Sequence, residues 1–244
     1  MCRIFFSLNH FNTTKIIYDF LYQSVHEKKN TPFTDNYRDP HQHKNGYGLC
    51  WFVENDWTCY KKDVCYLEDN EHTKIIKKMN KKIVTGHIRH LGEFEDDILE
   101  HTEMIKKQHH DNTHPFFNEN FIFMHNGQIT DFNKNPEISK TLLRHINKRF
   151  LKEIKGNTDT EFIFYMILTN FYKIKRQCKK TQSKETEETD DTIMKKSIFD
   201  FFKLIKSLNY ELTANFIFSN DKYTIITKYI GYDINQYDGI EQSS

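Results

Sequence analysis

The second residue of the chain, Cys2, directly follows the initiator methionine. Cysteine is small enough for that methionine to be removed. Cys2 would then carry two reactive groups, a thiol of reference pKa about 8.5 and an α-amine near 7.7–8.0. The amine titrates close to neutrality and can take the proton of the thiol beside it, which activates the nucleophile. The plain alternative is that position 2 is unconstrained. Five later segments also carry residue types suited to chemistry. NGYG at 45–48 sets two glycines around an aromatic ahead of a strand, and HIRH at 87–90 places an arginine at a strand end. NTHPF at 112–116 precedes a strand ending in HNG at 125–127, and TDTE at 158–161 presents an acid at a helix start. Taken singly, each has an ordinary explanation. Glycines serve turns, Asn-Gly serves a hairpin, Arg89 is a surface cation, and His114 is a loop residue. Asp159 at a helix start complements the dipole and the free amides.

These residues need elements to hold them. CRIFFSL alternates Cys2, Ile4, Phe6 and Leu8 against Arg3, Phe5 and Ser7, with apolar groups on both sides. That pattern predicts a strand in a sheet covered on both faces. Residues 13–27 predict a helix with Ile16, Ile17, Phe20, Leu21 and Val25 on one side, followed by a polar loop to about residue 44. GLCWFVEN and WTCYK predict a hairpin turning at Glu54, Asn55 and Asp56. Strands follow at 82–91 and 120–129, the second running into an Asn-Gly turn. A helix is expected from about 136 to 154, with Leu142, Leu143, Ile146, Phe150 and Ile154 at helical spacing and Gly156 as its stop. Thr158 and Glu161 have capping-box spacing before the apolar run FIFYMIL. Residues 176–192 are charged and poor in apolar groups, the composition of a solvated insertion loop within one domain spanning 2–244. A helix over SIFDFFKLIKSL and a hairpin turning at Asn220-Asp221 complete the pattern.

Composition narrows the classes. With 244 residues the chain can bury a core, and 21 Phe and 13 Tyr supply one although only 37% of residues are hydrophobic. Lys+Arg 35 against Asp+Glu 34 leaves no basic footprint for nucleic acid. No stretch has the length of a membrane span, and no secretory leader is visible. Five cysteines at irregular spacing give neither a disulfide framework nor a CxxC zinc site. The expectation is a soluble, reduced, cytoplasmic protein with no cofactor. Histidines at His41 and His43, His87 and His90, and His109, His110 and His114 raise the thought of a metal hydrolase. No H-E-x-x-H arrangement supports it, and such clusters in polar loops are usually exposed, so no metal ligand is assigned.

Read together and in order, MCR at 1–3, NGYGLCW at 45–51, HIR at 87–89, NTHPF at 112–116, HNGQI at 125–129 and GNTDTE at 156–161 resemble the class II glutamine amidotransferases. In these N-terminal-nucleophile hydrolases the working cysteine is exposed by methionine removal. The likeness is greatest to the small stand-alone group that includes a glutathione-degrading subunit, and LNYELTANFIFSNDKYTIITKY at 208–229 is similar to that group's late strand pair. The resemblance implies an α+β fold, a four-layer αββα sandwich. It implies Cys2 as nucleophile, Asn126 and the Gly127 N–H as oxyanion donors, Arg89 for the substrate α-carboxylate and Asp159 for its α-ammonium group. The implied reaction is cleavage of the γ-amide of glutamine or a γ-glutamyl compound through a thioester on Cys2. The implied partners are that small molecule and a separate synthase or peptidase subunit; amidotransfer needs such a partner, whereas peptidase-like cleavage does not. Where the family usually follows its arginine with a small residue and a hydroxyl, this chain has Arg89-His90-Leu91-Gly92-Glu93, and it has Asn45-Gly46 where Asp-Gly is common. A catalytically weakened binding or regulatory subunit is therefore the second reading.

Overall fold

The computed structural model describes residues 2–8, 12–25, 43–79, 83–90, 109–181 and 188–231. Most of the expected polar loop before residue 44, the run Leu91 to Glu93, His41 and the centre of the charged segment lie outside the described residues.

Two antiparallel sheets stack face to face between helices. The first contains β1 (Arg3–Leu8), β2 (Tyr47–Val53), β3 (Asp56–Lys62) and β4 (Ile83–Ile88), in the order β1-β4-β2-β3. The second contains β5 (Phe116–Asn118), β6 (Phe121–Ile129), β7 (Leu212–Ser219) and β8 (Thr224–Gly231), in the order β5-β6-β7-β8. Side-chain alternation sorts the core into layers. Leu49, Trp51 and Val84 turn outward to meet Ile17, Phe20 and Leu21 of α1 (Thr13–Tyr22) and Ile76 of α2 (His72–Lys78). Cys50 and Ile4 turn inward and pack with Ile122 and Met124 of β6 between the sheets. On the far side, Phe123, Phe216 and Phe218 pack on Phe164 of α5 (Asp159–Thr181), with α6 (Asp190–Ser207) alongside. Each fully buried Phe there stabilises the fold by roughly 2–3 kcal/mol. The architecture is the expected four-layer αββα sandwich.

Several element boundaries differ from the sequence reading. The expected helix at 136–154 is two helices, α3 (Pro136–Leu143) and α4 (Lys148–Leu151). Asn147 starts the second: its Oδ1 accepts from the Arg149 N–H at 3.0 Å, and its own N–H is taken by Thr169 Oγ1 at 2.9 Å. Leu142, Ile146 and Phe150 are nevertheless all buried. The charged segment at 176–192 is partly helical, since α5 runs to Thr181 and α6 starts at Asp190. Phe162 through Leu168 of α5 are buried on every side, as suits a helix enclosed between a sheet and other helices. Asn126 and Gly127 form no turn. They lie within β6, paired with Asn215 and Ala214 of β7.

Candidate active site

The register of the first sheet builds one end of the site. Ile88 of β4 faces Arg3 on one side and Tyr47 on the other. One step further, Cys2, Arg89 and Gly46 fall in a row, and the Arg89 N–H donates to the Gly46 carbonyl at 2.8 Å. The His90 N–H lies 3.4 Å from Cys2 Sγ, and the thiol faces the His90 carbonyl at 3.7 Å. Arg89 is only 7% exposed and its Nη1 donates to the His109 carbonyl at 3.1 Å, so it is a held, inward guanidinium rather than a surface cation.

The second sheet supplies the facing groups. By alternation Asn126 shares the inter-sheet face with Ile122 and Met124, the face against which β1 packs. Gly127 is required by packing, because a Cβ there would meet the Thr213 carbonyl at 1.9 Å. The direction of its N–H follows from its neighbours. The Thr130 N–H bonds the Glu211 carbonyl on the β7 side, whereas the Ile129 N–H donates to Asp159 Oδ2 at 2.7 Å on the other edge. Alternation along the strand turns the Gly127 N–H to the Asp159 edge, beyond the reach of β5, which pairs only with Phe121–Phe123.

Asp159 is placed by the entry to α5. Asn112 and Asn157 bond reciprocally: the Asn112 side-chain amide donates to Asn157 Oδ1 at 2.7 Å, and the Asn157 N–H donates to Asn112 Oδ1 at 2.9 Å. A Cβ on Gly156 would sit 2.2 Å from that same Oδ1. The Glu161 N–H donates to Thr158 Oγ1 at 3.4 Å, as the capping spacing predicts, but the Glu161 carboxylate reaches further back, accepting from Lys155 and Gly156 N–H at 3.0 and 2.8 Å. NTHPF and GNTDTE are thus two halves of one clamp.

Burial pushes the Cys2 thiol up, with the His90 amide and Arg89 pulling it down and Asp159 pushing it up. Arg89 and Asp159 thus pull the same thiol in opposite directions. A thiol whose ionisation burial opposes needs a base before it can attack.

Sequence reasoning missed the role of the histidines. His43, His87, His114 and His125 are buried rather than exposed. The rings of His87 and His114 lie 3.9 Å apart, and those of His43 and His90 4.7 Å apart. His125 donates from Nε2 to the Thr213 carbonyl at 3.0 Å, which leaves Nδ1 to accept from the Thr160 hydroxyl at 3.0 Å. It thereby ties β6 and β7 to the turn carrying Asp159. The signal was present in the HNG and TDTE motifs, which the fold joins through this pair. Among the described residues no group of three or more His, Cys, Asp or Glu could hold a metal ion.

Comparison with known proteins places this geometry. The family pattern of the class II glutamine amidotransferases matches residues 29–228, which includes Arg89, Asn126, Gly127 and Asp159, while Cys2 precedes the matched span. A curated relative, the probable glutamine amidotransferase DUG3 of Saccharomyces cerevisiae, is 27% identical over 136 residues, 53% of this chain and 34% of that protein. The chain thus matches about a third of that relative's length. Among solved structures, a glutamine aminotransferase class-II domain protein from Silicibacter pomeroyi superposes with a TM-score of 0.51 at 17% identity, over 77% of this chain and 70% of that one. The glutamine phosphoribosylpyrophosphate amidotransferase of B. subtilis superposes with a TM-score of 0.52 at 15% identity, over 93% of this chain and 37% of that one. Both likenesses are of fold.

Proposed function

The chain belongs to the class II glutamine amidotransferases, and from that premise we propose that it is a cysteine amidohydrolase cleaving the γ-amide of glutamine or of a γ-glutamyl compound. Removal of Met1 makes Cys2 the amino terminus. Its α-amine takes the thiol proton, and the sulfur attacks the γ-carbonyl carbon. The resulting oxyanion accepts from the Asn126 side-chain amide and the Gly127 N–H, and such a donor is worth about 2.7–4 kcal/mol in the transition state. The protonated amine passes its proton to the departing nitrogen, leaving ammonia or an amine and a γ-glutamyl thioester, which water then hydrolyses. Arg89 pairs with the substrate α-carboxylate and Asp159 with its α-ammonium group. One observation carries the reading. The register of β1 and β4 sets Cys2 beside Arg89, while Asp159, from the other half of the chain, holds the Ile129 N–H on the β6 edge to which the Gly127 N–H also turns.

The rest of the proposal follows from this. Residues 2–244 act as one domain, working with a separate synthase or peptidase subunit when the nitrogen or the cleaved product is passed on. None of the five cysteines is in a disulfide, which favours a reducing compartment, the cytoplasm. Among the described residues no helix is long and apolar enough to cross a membrane.

The test is the intact mass of native-start protein before and after 6-diazo-5-oxo-norleucine. Loss of Met1 and a single adduct on Cys2 support the reading, and γ-glutamyl turnover absent from Cys2→Ala completes it. A processed protein that neither labels nor turns over is instead a binding or regulatory subunit.

A further inference from the structure

A cavity of about 500 Å³ opens between the edge strands β3 and β5, with Lys155 and Glu161 of the clamp on its wall. Its lining includes Trp57, Cys59, Lys61, Phe116 and Tyr165, and none of the five residues assigned to catalysis or substrate binding. Cys59 stands directly opposite Cys50 in the β2–β3 ladder. The type of that pair follows from the turn. Val53 and Asp56 close a two-residue hairpin whose central residues, Glu54 and Asn55, have φ of 52° and 66°. The closing pair of such a hairpin exchanges both hydrogen bonds, so Phe52–Trp57 is non-hydrogen-bonded, Trp51–Thr58 bonded, and Cys50–Cys59 non-hydrogen-bonded. The Gly46 carbonyl, which turns to β4, gives the same parity. In non-hydrogen-bonded pairs the Cα atoms stand about 4.5 Å apart with side chains close, inside the roughly 4.4–6.8 Å that a disulfide spans. The two thiols share the inter-sheet face, Cys50 being buried and Cys59 half-buried on the cavity wall.

We propose that Cys59 and Cys50 form a peroxide-reactive dithiol site that closes to a cross-strand disulfide. Cys59 is the thiol with access, because it is half-buried and stands on the cavity wall. Burial pushes the Cys50 thiol well up, which suits it to wait as the second thiol rather than react first. In the first step the Cys59 sulfur attacks one oxygen of hydrogen peroxide and the O–O bond breaks. Hydroxide leaves with the thiol proton as water, and Cys59 becomes a sulfenic acid. In the second step the Cys50 sulfur attacks Cys59, the S–O bond breaks, and hydroxide leaves with the Cys50 proton as a second water. Two thiols lose two electrons and one peroxide gains them.

The experiment is hydrogen peroxide treatment of the full chain, wild type and Cys2→Ala, read by intact mass and peptide mapping. The expected result in both is a loss of about 2 Da, a Cys50–Cys59 peptide pair, and reversal by dithiothreitol. Cys59→Ser should abolish the mass loss, and Cys50→Ala should stall at a sulfenic acid that dimedone traps on Cys59. Over-oxidation of Cys59 without a cross-link, or a disulfide joining other cysteines, overturns the proposal. So does dimedone capture at Cys2 with none at Cys59 in folded Cys50→Ala protein.

Discussion

Asn126 and Gly127 are adjacent, yet the structure separates what each can be asked to do. Asn126 contributes its side chain to the gap between the sheets, and its own carbonyl is held by the Asn215 amide at 3.2 Å. Asn126→Ala removes a donor without opening the ladder. We predict a fall in kcat of about 10²–10³-fold with little change in KM or in urea midpoint, because only the developing oxyanion loses its partner. A comparable fall in both kcat and stability would mean that Asn126 serves the fold. Gly127→Ala is the contrasting case. Its new Cβ collides with a backbone carbonyl in the adjacent strand, which cannot swing away as a flexible side chain could. A loss of roughly 3 kcal/mol or more in equilibrium unfolding is expected, together with loss of activity. Wild-type stability in that variant would contradict the close packing of β6 on β7.

The element scale shows why some of this was legible in the sequence and some was not. Apolar alternation in CRIFFSL and the 3.6-residue spacing of Leu142, Ile146 and Phe150 report burial, and burial is what patterning encodes. The break between α3 and α4 was hidden because Thr169, far along the chain, takes the Asn147 N–H that a continuous helix would have used internally. Asn126-Gly127 was misread as a turn for a related reason. Its local preference is overruled by pairing with β7, nearly ninety residues later, and by the Thr213 carbonyl that leaves room only for glycine. The three-residue β5 and the short α2 carry too few residues to show a period. Arg89 and Asp159 stand out through motifs, but the clamp that seats Asp159 needed the fold, since Asn112 and Asn157 lie in different segments. Asn112→Ala should therefore act at a distance. It removes both halves of the reciprocal bond, costing about 1–2 kcal/mol in denaturant unfolding. It should also raise KM several-fold while sparing Cys2 labelling by 6-diazo-5-oxo-norleucine at saturation. An unchanged KM would show that Asp159 is seated by the Ile129 amide alone.

At the scale of the whole molecule, the two sheets and the start of α5 enclose imidazoles that the folded state keeps neutral. Burial and the nearby Arg89 charge push His87 down to about 3, and burial with His87, His125, Arg89 and Lys61 pushes His114 well below its usual range. Burial also lowers His125, against the pull of Asp159 and the Thr213 carbonyl. Among the described residues neither ring nitrogen of His114 has a hydrogen-bond partner, so a proton there would have little to hold it. In the unfolded chain each imidazole titrates near 6.5. Below that pH the unfolded state takes up protons that the native state refuses, so stability is full above about pH 6.5 and falls as the pH drops through the window toward 3. Each such histidine contributes a slope of about 1 kcal/mol per pH unit. Urea unfolding at about pH 7 and about pH 5 should therefore show a marked loss for the wild type, and a smaller loss for His87→Gln, which has one proton fewer to gain. A midpoint that does not move between the two pH values would mean that these rings are already solvated or protonated in the native protein, and the layer of buried neutral imidazoles would have to be abandoned.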